Sequence, residues 1–271
     1  MPRILNRSLP LYILASPRLA AYHVPYRTFR VLPIDNWTAA FEIARDASPD
    51  SLMLVDPYLD DAAAPSPELF RLLATYPALS VLVALDLTSE RVGDVREMLG
   101  AGISGIVNLR VDTTPEIAAR HFHDAVARPF KRRLEDLLSP YVAPDARTIL
   151  NAAAEIAVLG GGAAELAASF DVTPKTLTGW CVEAGLPRTR QLQLWMRLLL
   201  ATLLLEDRGR TLHKAAVAAG YAAERSLRRA AEQMLGTGPK MLREPGALEQ
   251  VARGFNEELR KHRHGEVAAR R

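Results

Sequence analysis

Between residues 9 and 109 the chain alternates two kinds of hydrophobic pattern. Short stretches at 9–14 (LPLYIL) and 29–34 (FRVLPI) have strand-like composition, and those at 50–56 (DSLMLVD), 79–86 (LSVLVALD) and 103–109 (ISGIVNL) are mostly apolar without a break. Runs of this length with few polar positions suit strands buried on both faces of a parallel sheet. Between them lie stretches with apolar residues every third or fourth position. In NWTAAFEIARDA (36–47), Trp37, Ala40, Phe41 and Ala44 share one helical face, and PELFRLLATY (67–76) and SERVGDVREMLGAG (89–102) read as further helices. Ser89 is an expected N-cap, and Gly100 and Gly102 are expected stop signals. Strand-helix alternation implies right-handed β-α-β units and an open parallel sheet flanked by helices.

From Pro115 the pattern is helical only. PEIAARHFHDAVARPFKRRLEDLL (115–138) should be split or kinked at Pro129, which lacks an N–H and clashes with the preceding turn. SPYVAP (139–144) reads as a hinge. RQLQLWMRLLLATLLLED (190–207) reads as one long buried helix, because Arg197 interrupts its apolar run and Glu206-Asp207-Arg208 closes it. The expected division is an α/β domain over 1–130, a helical linker and hinge over 131–144, an all-α domain over 145–245, and a charged tail over 246–271 whose end, EELRKHRHGEVAARR (257–271), is expected to fray.

Composition narrows the class. Hydrophobic residues make up 49% of 271, enough for packed cores. Net charge is +3, unevenly placed: residues 1–140 hold 15 Lys/Arg against 17 Asp/Glu, and residues 141–271 hold 19 against 14. The basic half is where a phosphate backbone would be met. The single cysteine, Cys181, permits neither an internal disulfide nor a zinc site, and fits a reducing cytoplasm. The short N-terminal apolar run, LYILA, predicts neither a signal segment nor a membrane span.

Two related units mark the basic half. In the first, 160–186, a small-residue helix is followed by Thr173-Pro174, an N-cap with proline at the first helical position. Leu177 and Cys181, four apart, face inward, leaving Lys175, Thr178 and Gly179 outward. In the second, 211–236, TLHKAAVAA runs into Gly220-Tyr221 and then a basic helix. Leu227 and Ala231 face inward there, and Glu224, Arg225, Ser226, Arg228 and Arg229 face outward. This order of parts describes a helix-turn-helix, whose second helix can enter the major groove with Arg bonding guanine O6 and N7. The helix between the units, about 27 Å at 1.5 Å per residue, is of the order of one DNA turn.

Residues 145–244 resemble the AraC/XylS-type DNA-binding domain. The likeness rests on AAELAASF, TPKTL, the Gly185 turn, Arg197-Leu198, Ala201, Leu204-Leu205, and then Ala215-Ala216, Gly220-Tyr221, Leu227, Arg229, Gly236, Gly238-Pro239 and Arg243. The resemblance implies base-reading positions at Lys175, Thr178 and Gly179, and at Glu224, Arg225, Ser226, Arg228 and Arg229. Thr173, Arg188 and Arg190 are placed for phosphates. The family usually has Arg where Gly179 stands and aromatic residues where Cys181 and Ala231 stand. The first unit is therefore expected to read weakly and the second to carry most of the discrimination.

Residues 9–130 resemble a response-regulator receiver domain through LMLVDPYLDD, LSVLVALDLTSE and MLGAGISGIV. Asp56 falls at the phosphoacceptor position. The first strand ends in Ala15-Ser16 rather than an acidic pair, the hydroxyl position falls on Asp86 or Thr88, and no Lys stands near Asn108–Arg110. A phosphoryl transfer needs a metal to neutralise the charge that builds up on the oxygens. A pseudo-receiver for regulation or dimerisation is the expectation, with Asp56 a candidate phosphoacceptor only.

No catalytic set, metal site or cofactor is expected. His121 and His123 are two apart and do not share a helical face. Gly160–Gly162 lacks the preceding strand and the Lys-Ser/Thr of a phosphate loop. The reading is a non-enzymatic transcription regulator that binds double-stranded DNA. A homodimer through the N-terminal domain or the 115–138 helix, and a regulatory protein or small ligand at the N-terminal domain, are the further partners considered. The alternatives are a phosphorylation-controlled response regulator and an interaction adaptor without DNA specificity.

Overall fold

The computed structural model describes residues 8–20, 22, 28–59, 62–138, 142–236 and 239–269. They form two compact units: one holds the residues up to Pro129 with Glu206–Gly209, the other holds Phe130–Leu205 and the residues from Arg210 onward.

The first unit is α/β. Its elements run β1 (Leu9–Leu14), α1 (Pro17–Ala20), β2 (Phe29–Ile34), α2 (Trp37–Asp46), β3 (Leu52–Val55), α3 (Pro67–Thr75), β4 (Ser80–Leu85), α4 (Val92–Ala101), β5 (Gly105–Asn108) and α5 (Pro115–Ala125). All pairings are parallel and the strand order is β2-β1-β3-β4-β5. This is the flavodoxin-like doubly wound order, whose switch point lies between β1 and β3. Register places Leu11 beside both Val31 and Leu52, and Leu82 beside both Leu54 and Gly105. Every residue of β3 and β4 is buried, as their apolar runs require. One face packs Met53, Val55, Val81 and Val83 against Ala40, Ala44, Leu69, Leu72 and Met98. On β2, Phe29 meets Phe122 of α5 edge-on at 5.3 Å.

Local signals set the helix ends. Asn36 Oδ1 accepts from the N–H of Ala39 at 3.0 Å. Gly102, with φ of 110°, closes α4 in the left-handed conformation that glycine adopts without strain. Ser89 is not the cap expected: it opens a 3-10 turn (Ser89–Arg91) whose cap position is Thr88, with no side-chain bond. α5 stops at Ala125, and Pro129 is the second residue of α6 (Arg128–Leu137), so the proline does split the stretch.

The second unit is all helical: α6, α7 (Pro144–Val158), α8 (Ala163–Ser169), α9 (Pro174–Glu183), α10 (Thr189–Leu204), α11 (Leu212–Ala218), α12 (Glu224–Leu235), a 3-10 turn (Pro239–Arg243) and α13 (Ala247–Ala269). The central α10 buries Leu192, Trp195, Met196 and every residue from Leu198 to Leu204, the pattern of a helix surrounded by protein. Two expectations change here. α6, expected as part of a helical linker, packs within this unit: Phe130 and Leu134 are buried, Lys131 pairs with Glu155, and Arg133 pairs with Glu249 at 2.8 Å. The segment after 246 is more than a charged tail, and Leu259, within the stretch expected to fray, is buried. The segment is α13, which buries Leu248, Val251, Phe255 and Leu259 and sets Phe255 against Trp195 at 5.4 Å. Of the expected hinge, residues 139–141 lie outside the described residues, as do residues 237 and 238 of the Gly236-x-Gly238-Pro239 motif.

Candidate nucleic-acid interface

The first helix pair is α8 and α9, joined by residues 170–173. Thr173 has extended backbone, and its Oγ1 accepts from the N–H of Thr176 at 3.2 Å, while Pro174 occupies the first helical position, where no N–H is needed. Leu177 and Cys181 are fully buried. Burial pushes the Cys181 thiol up, with the Thr189 hydroxyl pulling the other way. The outer face carries Lys175, Thr176, Gly179, Trp180, Val182 and Glu183, all exposed. Thr178 departs from its expected outward presentation. It is half-buried, with its Oγ1 2.8 Å from the Pro174 carbonyl and 3.0 Å from Thr189 Oγ1, so the hydroxyl is engaged by its own helix and by α10. Gly185, with φ of 68°, turns the chain out of α9, and Arg188 and Arg190 are exposed at the start of α10.

The second pair is α11 and α12. Thr211 caps α11 by accepting from the N–H of Lys214 at 3.2 Å, and Gly220, with φ of 81°, makes the turn. Leu227 and Ala231 are fully buried, so the opposite face of α12 is outward. Arg225 and Arg229 are exposed there and make no ion pair with another described residue. Glu224 and Arg228, both expected to face outward, form an i,i+4 ion pair on the helix surface. Ser226 is half-buried beside them. The free cations of this face are thus Arg225 and Arg229, one helical turn apart. That spacing lets both guanidinium groups reach one groove.

Asp56 lies in the first unit, directly after β3 and beside the end of β1, at the switch point of the sheet. It is 1% exposed. Its Oδ2 accepts from Ser16 Oγ at 2.9 Å, its Oδ1 accepts from the Tyr58 N–H at 2.9 Å, and Arg18 Nη1 is 3.9 Å from Oδ1. Both oxygens are therefore engaged. Asp86, by contrast, is partly exposed and pairs with Arg110 at 3.5 Å. Sequence reading placed Ser16 only at the end of the first strand and missed Ser16 and Arg18 as partners of Asp56. Their signal was Ser16-Pro17, a cap followed by proline at the first position of α1. Among the described residues, no group of three or more His, Cys, Asp and Glu is placed to hold a metal ion, and no helix is long and apolar enough to cross a membrane.

No protein-family model matches the chain, and no curated protein matches it. Among solved structures, full-length FixJ from B. japonicum aligns over 83% of this chain and 96% of that chain, at 15% identity and a TM-score of 0.30. A superposition at that score has no bearing on domain arrangement or function. The AraC/XylS-type reading stands on the residues of the two helix pairs alone.

Proposed function

We propose that this chain is a sequence-specific DNA-binding transcription regulator that acts by binding, without chemistry. The two helix pairs meet duplex DNA, α12 does most of the base reading, and the α/β unit is a pseudo-receiver used for regulation or dimerisation in the cytoplasm. The observation that carries the reading is the outer face of α12. Arg225 and Arg229 stand exposed, with no ion pair to another described residue, on the second helix of a short-turn pair, in the half of the chain with excess positive charge. Arg forms the commonest specific contact to guanine, and nearby cations hold phosphates. Lys175 on α9, with Arg188 and Arg190, supplies the positioning contacts.

Selection from a randomised duplex pool, repeated across a salt series, tests this. The full-length protein is expected to enrich one shared sequence, and the Arg225/Arg228/Arg229→Ala triple variant to lose it. Singly, Arg225→Ala and Arg229→Ala should each cost about 1–3 kcal/mol of base discrimination. Arg228→Ala should cost less, because its guanidinium is already held by Glu224. Weak, steeply salt-dependent binding without enrichment, equal in wild type and variant, would favour the adaptor reading.

A further inference from the structure

Arg197 is the single charge in the apolar run 194–205 of α10, and it is half-buried. Its Nη2 donates to the Gly161 carbonyl at 2.9 Å, at the entrance to α8. The same guanidinium lies against the turn that leaves α11: a Cβ placed on Gly220 would sit 3.5 Å from both Cζ and Nε. A Cβ on Gly162 would sit 3.7 Å from Nη2. One planar group therefore hydrogen-bonds the backbone that enters the first helix pair and lies alongside the turn of the second. Its charge is felt on each side. Glu165, whose Oε2 accepts from the Gly162 N–H at 2.9 Å, is held below the usual carboxylate range by that bond and its own backbone N–H, with a smaller contribution from Arg197. Burial pushes the Tyr221 phenol up, and Arg197 pulls against it. Arg197 Nε and the Tyr221 hydroxyl are both buried without a hydrogen-bond partner among the described residues.

α8 and α11 are the supports on which α9 and α12 sit, and both pack on α10. Packing of leucine stripes is non-directional and tolerates small slides. A guanidinium hydrogen bond to a carbonyl is directional, and the planar fork holds its geometry. We propose that Arg197 is the positioning residue that fixes α9 relative to α12. On the DNA-binding reading, it thereby sets the spacing at which the two reading helices meet the duplex.

Spin labels at Lys175→Cys and Glu232→Cys, in a Cys181→Ala background of the full-length chain, report the α9–α12 distance by electron–electron resonance. The chain with Arg197 should give one narrow distance. Arg197→Met should give a broadened or displaced distribution with unchanged helix content by circular dichroism. Arg197→Lys should restore it only in part, because an ammonium lacks the fork. An unchanged distribution in the Met variant overturns the proposal. Should the Met variant lose helix content, the Lys variant decides by the same two outcomes. With the enriched duplex as probe, Arg197→Met should weaken binding tenfold or more, while a duplex carrying only the α12 half-site should bind as before. Equal losses on both duplexes would point to a general structural role. If no duplex is enriched, the regulator reading fails, and the distance measurement still decides the role of Arg197.

Discussion

At the scale of single residues, Gly179 and Asp56 make opposite cases. Gly179 lies in the middle of α9 on its exposed face, and a side chain there would meet nothing within 4 Å. Glycine inside a helix costs about 1 kcal/mol relative to alanine. Gly179→Ala should therefore raise stability by about that amount, read as a higher Tm, and leave duplex binding unchanged. Gly179→Arg should keep part of that gain, since a like charge four residues from Lys175 costs a few tenths of a kcal/mol. It should also tighten duplex binding and steepen its salt dependence by about one phosphate's worth. An Arg variant that binds no better would mean that this face of α9 does not approach DNA. Asp56 is the reverse, a buried group whose every oxygen is taken. A phosphoacceptor needs a free carboxylate oxygen beside a metal, and here Ser16 and the Tyr58 N–H hold the two oxygens with Arg18 3.9 Å away. Incubation with acetyl phosphate and Mg2+ should leave the mass of the intact protein unchanged. A gain of one phosphoryl group at Asp56 would restore the phosphorylation-controlled reading. Asp56→Ala should destabilise by about 1–3 kcal/mol, because it strands the Ser16 hydroxyl and the Tyr58 N–H without an acceptor.

At the scale of elements, the measure is what each helix or strand buries. The buried strands β3 and β4 were legible because a strand covered on both faces reads as unbroken apolar sequence. Turns with Gly102, Gly185 and Gly220 were legible because each needs a positive φ. α13 was not. Its buried residues, Leu248, Val251, Phe255 and Leu259, form a narrow stripe among charged neighbours, and their partner Trp195 lies some sixty residues earlier. Charge density hid the stripe, and the long-range partner had no local signal. The candidate interface was half legible. Inward positions followed from four-residue spacing, but the turning of Thr178 toward Thr189 depends on how α10 crosses α9. The Glu224–Arg228 pair could have been read, since i,i+4 opposite charges on a helix meet. Ending the chain before Ala247 tests the new view of α13. A solvated tail could be removed without effect. A helix that covers Trp195 and contributes four large buried side chains cannot: the truncated chain should lose several kcal/mol and unfold at a markedly lower urea concentration.

At the scale of the whole molecule, the sign of the charge separates the two halves: net −2 over residues 1–140 and net +5 over residues 141–271. A chain with this partition is drawn to a polyanion by one half and repelled by the other. An overall charge of +3 is modest, so a tight complex is expected to draw on placed contacts rather than on net charge. The salt series measures how many. Each phosphate neutralised contributes a slope of about −0.9 in log affinity against log salt. Thr173, Arg188 and Arg190 are the expected phosphate contacts, Lys175 is proposed to join them, and Arg225 and Arg229 are the proposed base readers. Removing Arg188 and Arg190 together should flatten the slope by up to about two and weaken every sequence alike. Removing Arg225 and Arg229 should mainly erase the difference between the enriched duplex and a scrambled one. If the two pairs behave identically, sequence is not being read by α12, and attraction between the basic half and phosphate is all that holds the complex.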